Sequence, residues 1–186
     1  MAKLVAMNNP YNTNLDRNPA NFQPLTPLTF LERAASVYPN HTAIVHGKLR
    51  RNYSDFYSRS RQLASALSEQ GIARGDTVSV ILSNTPAMLE AHYGVPMCGA
   101  VLHSINTRLD PDTIAYQLDH ANSKALIVDR EFLKTAKTSL ELAGVSPILI
   151  EFNDSEYPIK ESLPGAIEYE EFLLKEIGRA SCRERV

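Results

Sequence analysis

The chain has 186 residues, 44% of them hydrophobic and 22% charged, which is enough for one ordinary globular domain and unlike a collagen, a disordered tail or a disulfide scaffold. With 19 Lys and Arg against 21 Asp and Glu, the net charge of −2 and the lack of a basic cluster leave no electrostatic footprint for a polyanion, so nucleic acid is not an expected partner. A membrane-spanning helix needs roughly 20 uninterrupted apolar residues, and the longest candidate, residues 73–99, is broken by Arg74, Asp76, Asn84, Pro86, Glu90 and His92.

Residues 1–24 hold six Asn and three Pro with few large apolar side chains, a composition that cannot repay the entropy of ordering backbone and predicts a flexible arm. No sustained apolar run precedes Asn8, Asn9 and Pro10, so the start does not read as a secretory signal and an intracellular protein is expected. Thr29 and Glu32 have capping-box spacing, and Phe30, Leu31, Ala34 and Ala35 before Tyr38-Pro39 predict a short helix ended by proline. A hairpin follows: residues 42–46 are β-branched and apolar, Gly47-Lys48 supplies the turn, and residues 49–53 carry the chain back. Phe56, Ser60, Leu63, Ala64 and Leu67 fall on one face at 3.6 spacing, predicting a helix with Ser54 as N-cap and Gly71 as stop.

From here the pattern repeats. Residues 77–82 are an apolar run of strand length, followed by Thr85-Pro86 as cap and first helical residue and a helix to about Cys98. Residues 100–105 read as the next strand, Asp110-Pro111 as the next cap, and Ile114, Ala115, Leu118 and Ala121 as a buried helix face. Residues 125–128 then form a strand, Asp129 a cap, Phe132, Leu133, Ala136 and Leu140 a helix face, Gly144 a stop, and residues 147–151 a further strand. Strands without alternating polarity, separated by ten-residue helices, predict an α/β fold: a parallel sheet of right-handed βαβ units, covered on both faces, with the hairpin outside it.

In an open parallel sheet the ligand crevice lies beyond the carboxyl ends of the strands, which directs attention to Ser83-Asn84, residues 104–110 and Asp129. Two readings stand side by side. In one, Asn84, Asn106 and Arg108 face a ligand, with Arg108 offering a planar donor fork to a phosphate or carboxylate. In the other, the more economical, Thr85, Asp110 and Asp129 are N-caps and Arg108 is a surface cation. His92 and His103 lack a second donor at metal-binding spacing, and Asp110 with Asp112 sits in a first helical turn where anions favour the dipole, so no metal site is expected. The Gly71-x-x-x-Gly75 pair precedes a strand and lacks the Lys-Ser/Thr ending of a phosphate loop, so it reads as a turn. Cys98 lies in an apolar stretch without a neighbouring base and reads as a packing residue.

The composition shifts abruptly at Ile177-Gly-Arg-Ala-Ser-Cys-Arg-Glu-Arg-Val186, which resembles the translation of a common short-read sequencing adapter and is expected to be an artefactual tail. Setting it aside removes three Arg and one Glu, moving the net charge from −2 to −4, and leaves Cys98 as the single cysteine. One cysteine agrees with a reducing compartment.

Five segments carry a resemblance: Thr26-Pro-Leu-Thr-Phe-Leu-Glu-Arg-Ala-Ala35, Gly71-Ile-Ala-Arg-Gly-Asp76, Ser83-Asn-Thr-Pro-Ala-Met88, Glu90-Ala-His-Tyr-Gly-Val-Pro-Met97 and Ile105-Asn-Thr-Arg-Leu-Asp110. In this order they resemble the N-terminal domain of plant acyl-activating enzymes, within the AMP-forming acyl-CoA synthetase superfamily. The resemblance covers residues 25–176, read as a partial N-terminal domain. It implies a ligase that converts a carboxylic acid and Mg-ATP to an acyl-adenylate and pyrophosphate, then transfers the acyl group to coenzyme A, in the peroxisome or cytosol. The family's phosphate loop, of the form Thr-Ser-Gly-Thr-Thr-Gly-x-Pro-Lys, does not occur in residues 1–186, nor do its adenine-binding, magnesium-binding and catalytic-lysine motifs, which would lie downstream of Glu176. No catalytic, cofactor-binding or metal residue is therefore carried over, and these residues alone are expected to be inactive and to leave apolar faces uncovered. Of two other readings, a dinucleotide-binding dehydrogenase lacks any Gly-x-Gly-x-x-Gly after a predicted strand, whereas a non-catalytic α/β interaction module remains open.

Overall fold

A computed structural model of the chain describes residues 16, 18, 22 and 25–174. Apart from residues 16, 18 and 22, the expected arm over 1–24 lies outside the described residues, as does the expected tail over 177–186. The chain begins with α1 (Pro27–Val37), the antiparallel hairpin β1 (Thr42–His46) and β2 (Leu49–Asn52), and the long helix α2 (Tyr53–Glu69). Then come β3 (Thr77–Ile81), α3 (Pro86–Met97), β4 (Val101–Ser104), α4 (Pro111–His120), β5 (Ala125–Asp129), α5 (Leu133–Leu142), β6 (Ile148–Phe152), β7 (Ile167–Glu168) and α6 (Tyr169–Leu174).

β3 to β7 form one sheet in the order β4-β3-β5-β6-β7, with every neighbouring pair parallel. Val78 pairs with Leu102 on one side and Ala125 on the other, and Ala125 in turn with Ile148. The hairpin stands outside this sheet. The predominantly apolar character of the central strands has a direct cause. Val78, Val80, Ala125, Ile127, Ile150 and Phe152 pack under α2, α3 and α6, whereas Ile81, Leu126 and Val128 pack under α4 and α5. A strand buried on both faces cannot alternate apolar with polar residues.

Helix starts follow local chemistry, and two differ from the sequence expectation. The cap of α1 is Thr26, with Pro27 at the first helical position; Thr29 lies inside the first turn and its hydroxyl donates to Thr26 O at 2.9 Å. No Thr29–Glu32 capping box forms, because Thr29 is already inside the helix that starts at Pro27, whose preset φ suits the first helical position. The cap of α2 is Asn52, whose Oδ1 accepts the Asp55 N–H at 2.7 Å, so the helix starts at Tyr53 and Ser54 is within it. Thr85 and Asp110 occupy the expected cap positions ahead of Pro86 and Pro111. Asp129 caps a short 3-10 turn, Arg130–Phe132, that leads into α5.

Candidate functional site

The chain runs from β3 to β4 on one side and then to β5 on the other side of β3. The strand order therefore reverses between β3 and β5, and the crevice outside their carboxyl ends is where open α/β sheets place ligands. Ser83 and Asn84 leave β3 there; Asp129 and Glu131 leave β5. Ser83 Oγ donates to Glu131 Oε2 at 2.8 Å, bridging the two strand ends. Asp129 is buried, its Oδ1 accepting the Glu131 N–H at 3.0 Å. Burial, with the charges of Glu131 and Asp154 adding to it, holds the Asp129 carboxyl above its ordinary range despite the N–H donors of Glu131 and Ser83.

The remaining predicted positions divide between the two readings. Asn84, Asn106 and Arg108 are all exposed. Asn106 Oδ1 accepts the Arg108 N–H at 3.0 Å, a local turn bond, and Arg108 forms no ion pair among the described residues. Asp110 accepts the Thr113 N–H at 3.0 Å and the Thr113 hydroxyl at 2.8 Å, and these bonds hold its carboxyl below the ordinary range. Asp110 and Asp129 thus act as caps, and Thr85 takes the cap position of α3 without a side-chain cap bond. Gly71 and Gly75 have φ of 83° and 89° and form the turn into β3, where left-handed backbone favours glycine. His92 Nδ1 contacts Met88 O at 2.8 Å on an exposed helix face, and Cys98 Sγ donates to Val95 O at 3.1 Å. Among the described residues no three of His, Cys, Asp and Glu gather where they could hold a metal ion.

The same edge receives the hairpin. His46 Nε2 lies 2.9 Å from both carboxylate oxygens of Asp154, just beyond β6, while the Lys48 N–H donates to Glu156 Oε1 at 3.1 Å. Arg130 is committed to Glu151 and to Ile159 O, and Glu151 also accepts from Ser162 Oγ and the Leu163 N–H. These donors together hold Glu151 below the ordinary carboxylate range against the opposing effect of burial. The edge is consequently acidic, with Asp129, Glu131, Asp154 and Glu156 close to the strand ends.

Sequence reasoning missed the largest charged assembly among the described residues. Glu90 of α3 has no solvent exposure and accepts from Arg51 of β2, from Arg59 of α2 (Nε, 2.7 Å) and from the Tyr169 hydroxyl (2.9 Å). Arg59 also donates to both oxygens of Glu170 at 2.8 and 2.6 Å. Burial, which lowers the Arg59 pKa, is outweighed by these carboxylates, and burial beside Glu90 pushes the Tyr169 hydroxyl well above its ordinary value. Two arginines and two glutamates thus join the hairpin, α2, α3 and α6 with balanced charge. The signal was present in part: Glu90 shares the buried face of α3 with Ala87, Ala91 and Gly94, where an unpaired carboxylate is too costly to stand.

A family model described as AMP-binding enzyme matches residues 31–168. The chain is 46% identical over 172 residues to a peroxisomal acetate/butyrate–CoA ligase of Arabidopsis thaliana, covering 86% of this chain and 30% of that protein. It is 50% identical over 123 residues to a peroxisomal benzoate–CoA ligase of the same plant, covering 66% of this chain and 21% of that protein. A benzoate–CoA ligase structure from Burkholderia xenovorans superposes with a TM-score of 0.67 at 26% identity, over 78% of this chain and 27% of that one. The chain spans about a third or less of the length of these proteins.

Proposed function

Since the chain belongs to the AMP-binding enzyme family, we propose that it is the N-terminal scaffold of an AMP-forming carboxylic acid–CoA ligase. In that reaction a carboxylate oxygen attacks the α-phosphate of ATP, pyrophosphate leaves, and the thiol of coenzyme A then takes the acyl group while AMP departs. The observation that carries the reading is the 46% identity to the acetate/butyrate ligase over 86% of the chain. A carboxylic acid, ATP with Mg2+, and coenzyme A are the small-molecule partners this assigns to the whole enzyme. The peroxisomal names of both plant relatives support a peroxisomal location; a tagged whole protein found in the secretory pathway would contradict it.

The described residues do not by themselves fit Mg-ATP. Stabilising charge at a phosphate requires donors and cations aimed at it, whereas the carboxyl edge gathers Asp129, Glu131, Asp154 and Glu156, and its Arg130 is already bound by Glu151. No chemical step is assigned to these residues. Their contribution is to hold the sheet edge and the hairpin in place, and the 186 residues alone are expected to make no acyl-adenylate.

The experiment grafts residues 31–168 in place of their counterpart in the Arabidopsis acetate/butyrate ligase and measures pyrophosphate release with short-chain, medium-chain and aromatic carboxylates. Turnover by the graft and none by the 186-residue chain is expected. A folded graft that is silent across the panel would refute the ligase scaffold and favour a non-catalytic interaction module. Turnover by the chain alone would refute its inactivity.

A further inference from the structure

A polar stripe crosses the otherwise apolar sheet at its open edge. Register sets Ser79 of β3 opposite His103 of β4. Ser79 Oγ lies 2.9 Å from His103 Nδ1 and 2.6 Å from Ser123 Oγ, at the entry to β5. Both serines are buried and the ring is half-buried. The side chain of Gln117, on α4, hydrogen-bonds the same ring. Every one of these partners is neutral.

The charged groups on the packed elements are engaged elsewhere. Asp119 of α4 accepts the N–H groups of Gly144 and Val145, and Asp76 before β3 accepts that of Ala73. Asp112, Lys124, Lys134, Lys137 and Glu141 are exposed, and His120 stacks on Tyr116. Asp129, at the far end of β5, is bound to the Glu131 N–H.

We propose that this stripe is an acid-sensitive seam, in which a proton on His103 releases β4 and α4 from the edge of the sheet. In the neutral tautomer that carries its proton on Nε2, Nδ1 accepts the Ser79 hydroxyl. On protonation Nδ1 becomes a donor, and the two hydroxyls can reverse direction, so hydrogen bonds survive. What is not recovered is the hydration of a charge that has no carboxylate beside it. β4 has β3 as its single strand neighbour among the described residues, so the ring reaches water by outward movement of β4 with α4, which opens the smaller buried cluster where Ile114 and Leu118 meet Ile81, Leu126 and Val128.

Burial holds the His103 ring below the usual histidine value, and its bond to Gln117, which acts in the opposite direction, does not offset this. The folded chain therefore takes up this proton at lower pH than the opened one does. Stability is full above the usual histidine value, falls as pH drops through it, and continues to fall until the folded-state value is reached.

The test follows ring-proton titration and amide hydrogen exchange in the 186-residue chain between about pH 7.5 and about pH 5.5, the range in which histidine changes charge. His103 is expected to titrate below the ordinary histidine value, measured on a short unfolded peptide in the same buffers. The amides of residues 101–104 should lose protection on acidification beyond the intrinsic pH effect on exchange. His103→Gln should abolish that extra loss, and Gln117→Glu, which sets a carboxylate beside the ring, should raise the titration midpoint and suppress it. A His103 midpoint at or above that of the peptide would overturn the proposal without any variant. An unchanged acid-induced loss of protection in His103→Gln would do the same.

Discussion

At the scale of single residues, Glu90 and Gly94 show two ways in which α3 is fixed to α2. Glu90 satisfies Arg51, Arg59 and Tyr169 from a site with no solvent exposure. Removing the charge with Glu90→Gln leaves Arg51 and Arg59 to share the partly exposed Glu170 as their remaining acid partner, and breaking a buried pair in this way costs about 3–5 kcal/mol. Tyr169→Phe removes one neutral donor to a charged acceptor and should cost about 1.5–3 kcal/mol. Urea unfolding of both variants should show that order; a Glu90→Gln loss smaller than that of Tyr169→Phe would mean that the cluster is not the anchor. Gly94 acts by absence. An added Cβ would lie 2.8 Å from both Ser60 O and Leu63 Cδ2, and a backbone oxygen cannot give way. Gly94→Ala should destabilise by about 1–3 kcal/mol through overpacking, although the helix itself prefers alanine. The sequence displayed Glu90 as a charge on an apolar stripe. Its partners lie 39, 31 and 79 residues away, and no local pattern connects residues at such distances.

At the scale of elements, what was legible follows from local chemistry, and what was not follows from tertiary pairing. β3, β5 and β6 are visible because strands buried on both faces appear as largely apolar runs, interrupted in β3 by Ser79 and in β6 by Glu151. The starts of α3 and α4 are visible because a cap residue followed by proline is a strong signal at a helix N-terminus. β7, with two residues, is too short to show a period, and α6, with six, is scarcely longer. The strand order β4-β3-β5-β6-β7 is likewise hidden, since right-handed βαβ units fix the hand of each crossover and leave open the side on which the next strand is added. The start of α2 was misplaced because Ser54 and Asn52 are both good cap residues, and the return strand of the hairpin decides between them. Asn52 ends β2 and caps α2 at once, its Oδ1 accepting the Asp55 N–H. Asn52→Ala should therefore lower stability by about 1 kcal/mol, whereas Ser54→Ala, exposed in the first turn, should be near neutral. Equal losses in thermal unfolding, or a larger one for Ser54→Ala, would restore the sequence-based cap.

At the scale of the whole molecule, the question is whether this much of the fold stands alone. A partial family domain was expected to leave apolar faces uncovered, yet both faces of the five-stranded sheet carry helices, and each face has its own buried cluster. Ten large apolar side chains among the described residues are more than half exposed: Leu25, Phe30, Val37 and Tyr38 belong to α1 and its flanks, and the other six are spread over the rest of the chain, so the sheet is covered while α1 keeps an apolar surface. Closure of the larger cluster depends on the last described helix, since α6 brings Tyr169, Phe172 and Leu173, all at 1% exposure or less, and adds Glu170 to the ion cluster. Burying three such side chains contributes about 5–9 kcal/mol, comparable with the whole net stability of about 5–15 kcal/mol expected of a domain. The 186-residue chain is therefore expected to unfold in urea as one cooperative transition, with a slope of about 1–3 kcal/mol/M, and a chain ended at Ala166 to lose that transition. The shorter chain should also bind a dye specific for exposed apolar surface, since it uncovers Phe152, Ile150 and the apolar side of α2 while leaving Arg51 and Arg59 to share Glu90 alone. Aggregation of the 186-residue chain, or an unchanged transition after truncation at Ala166, would show that the covered sheet is not an independent unit or that α6 does not close it.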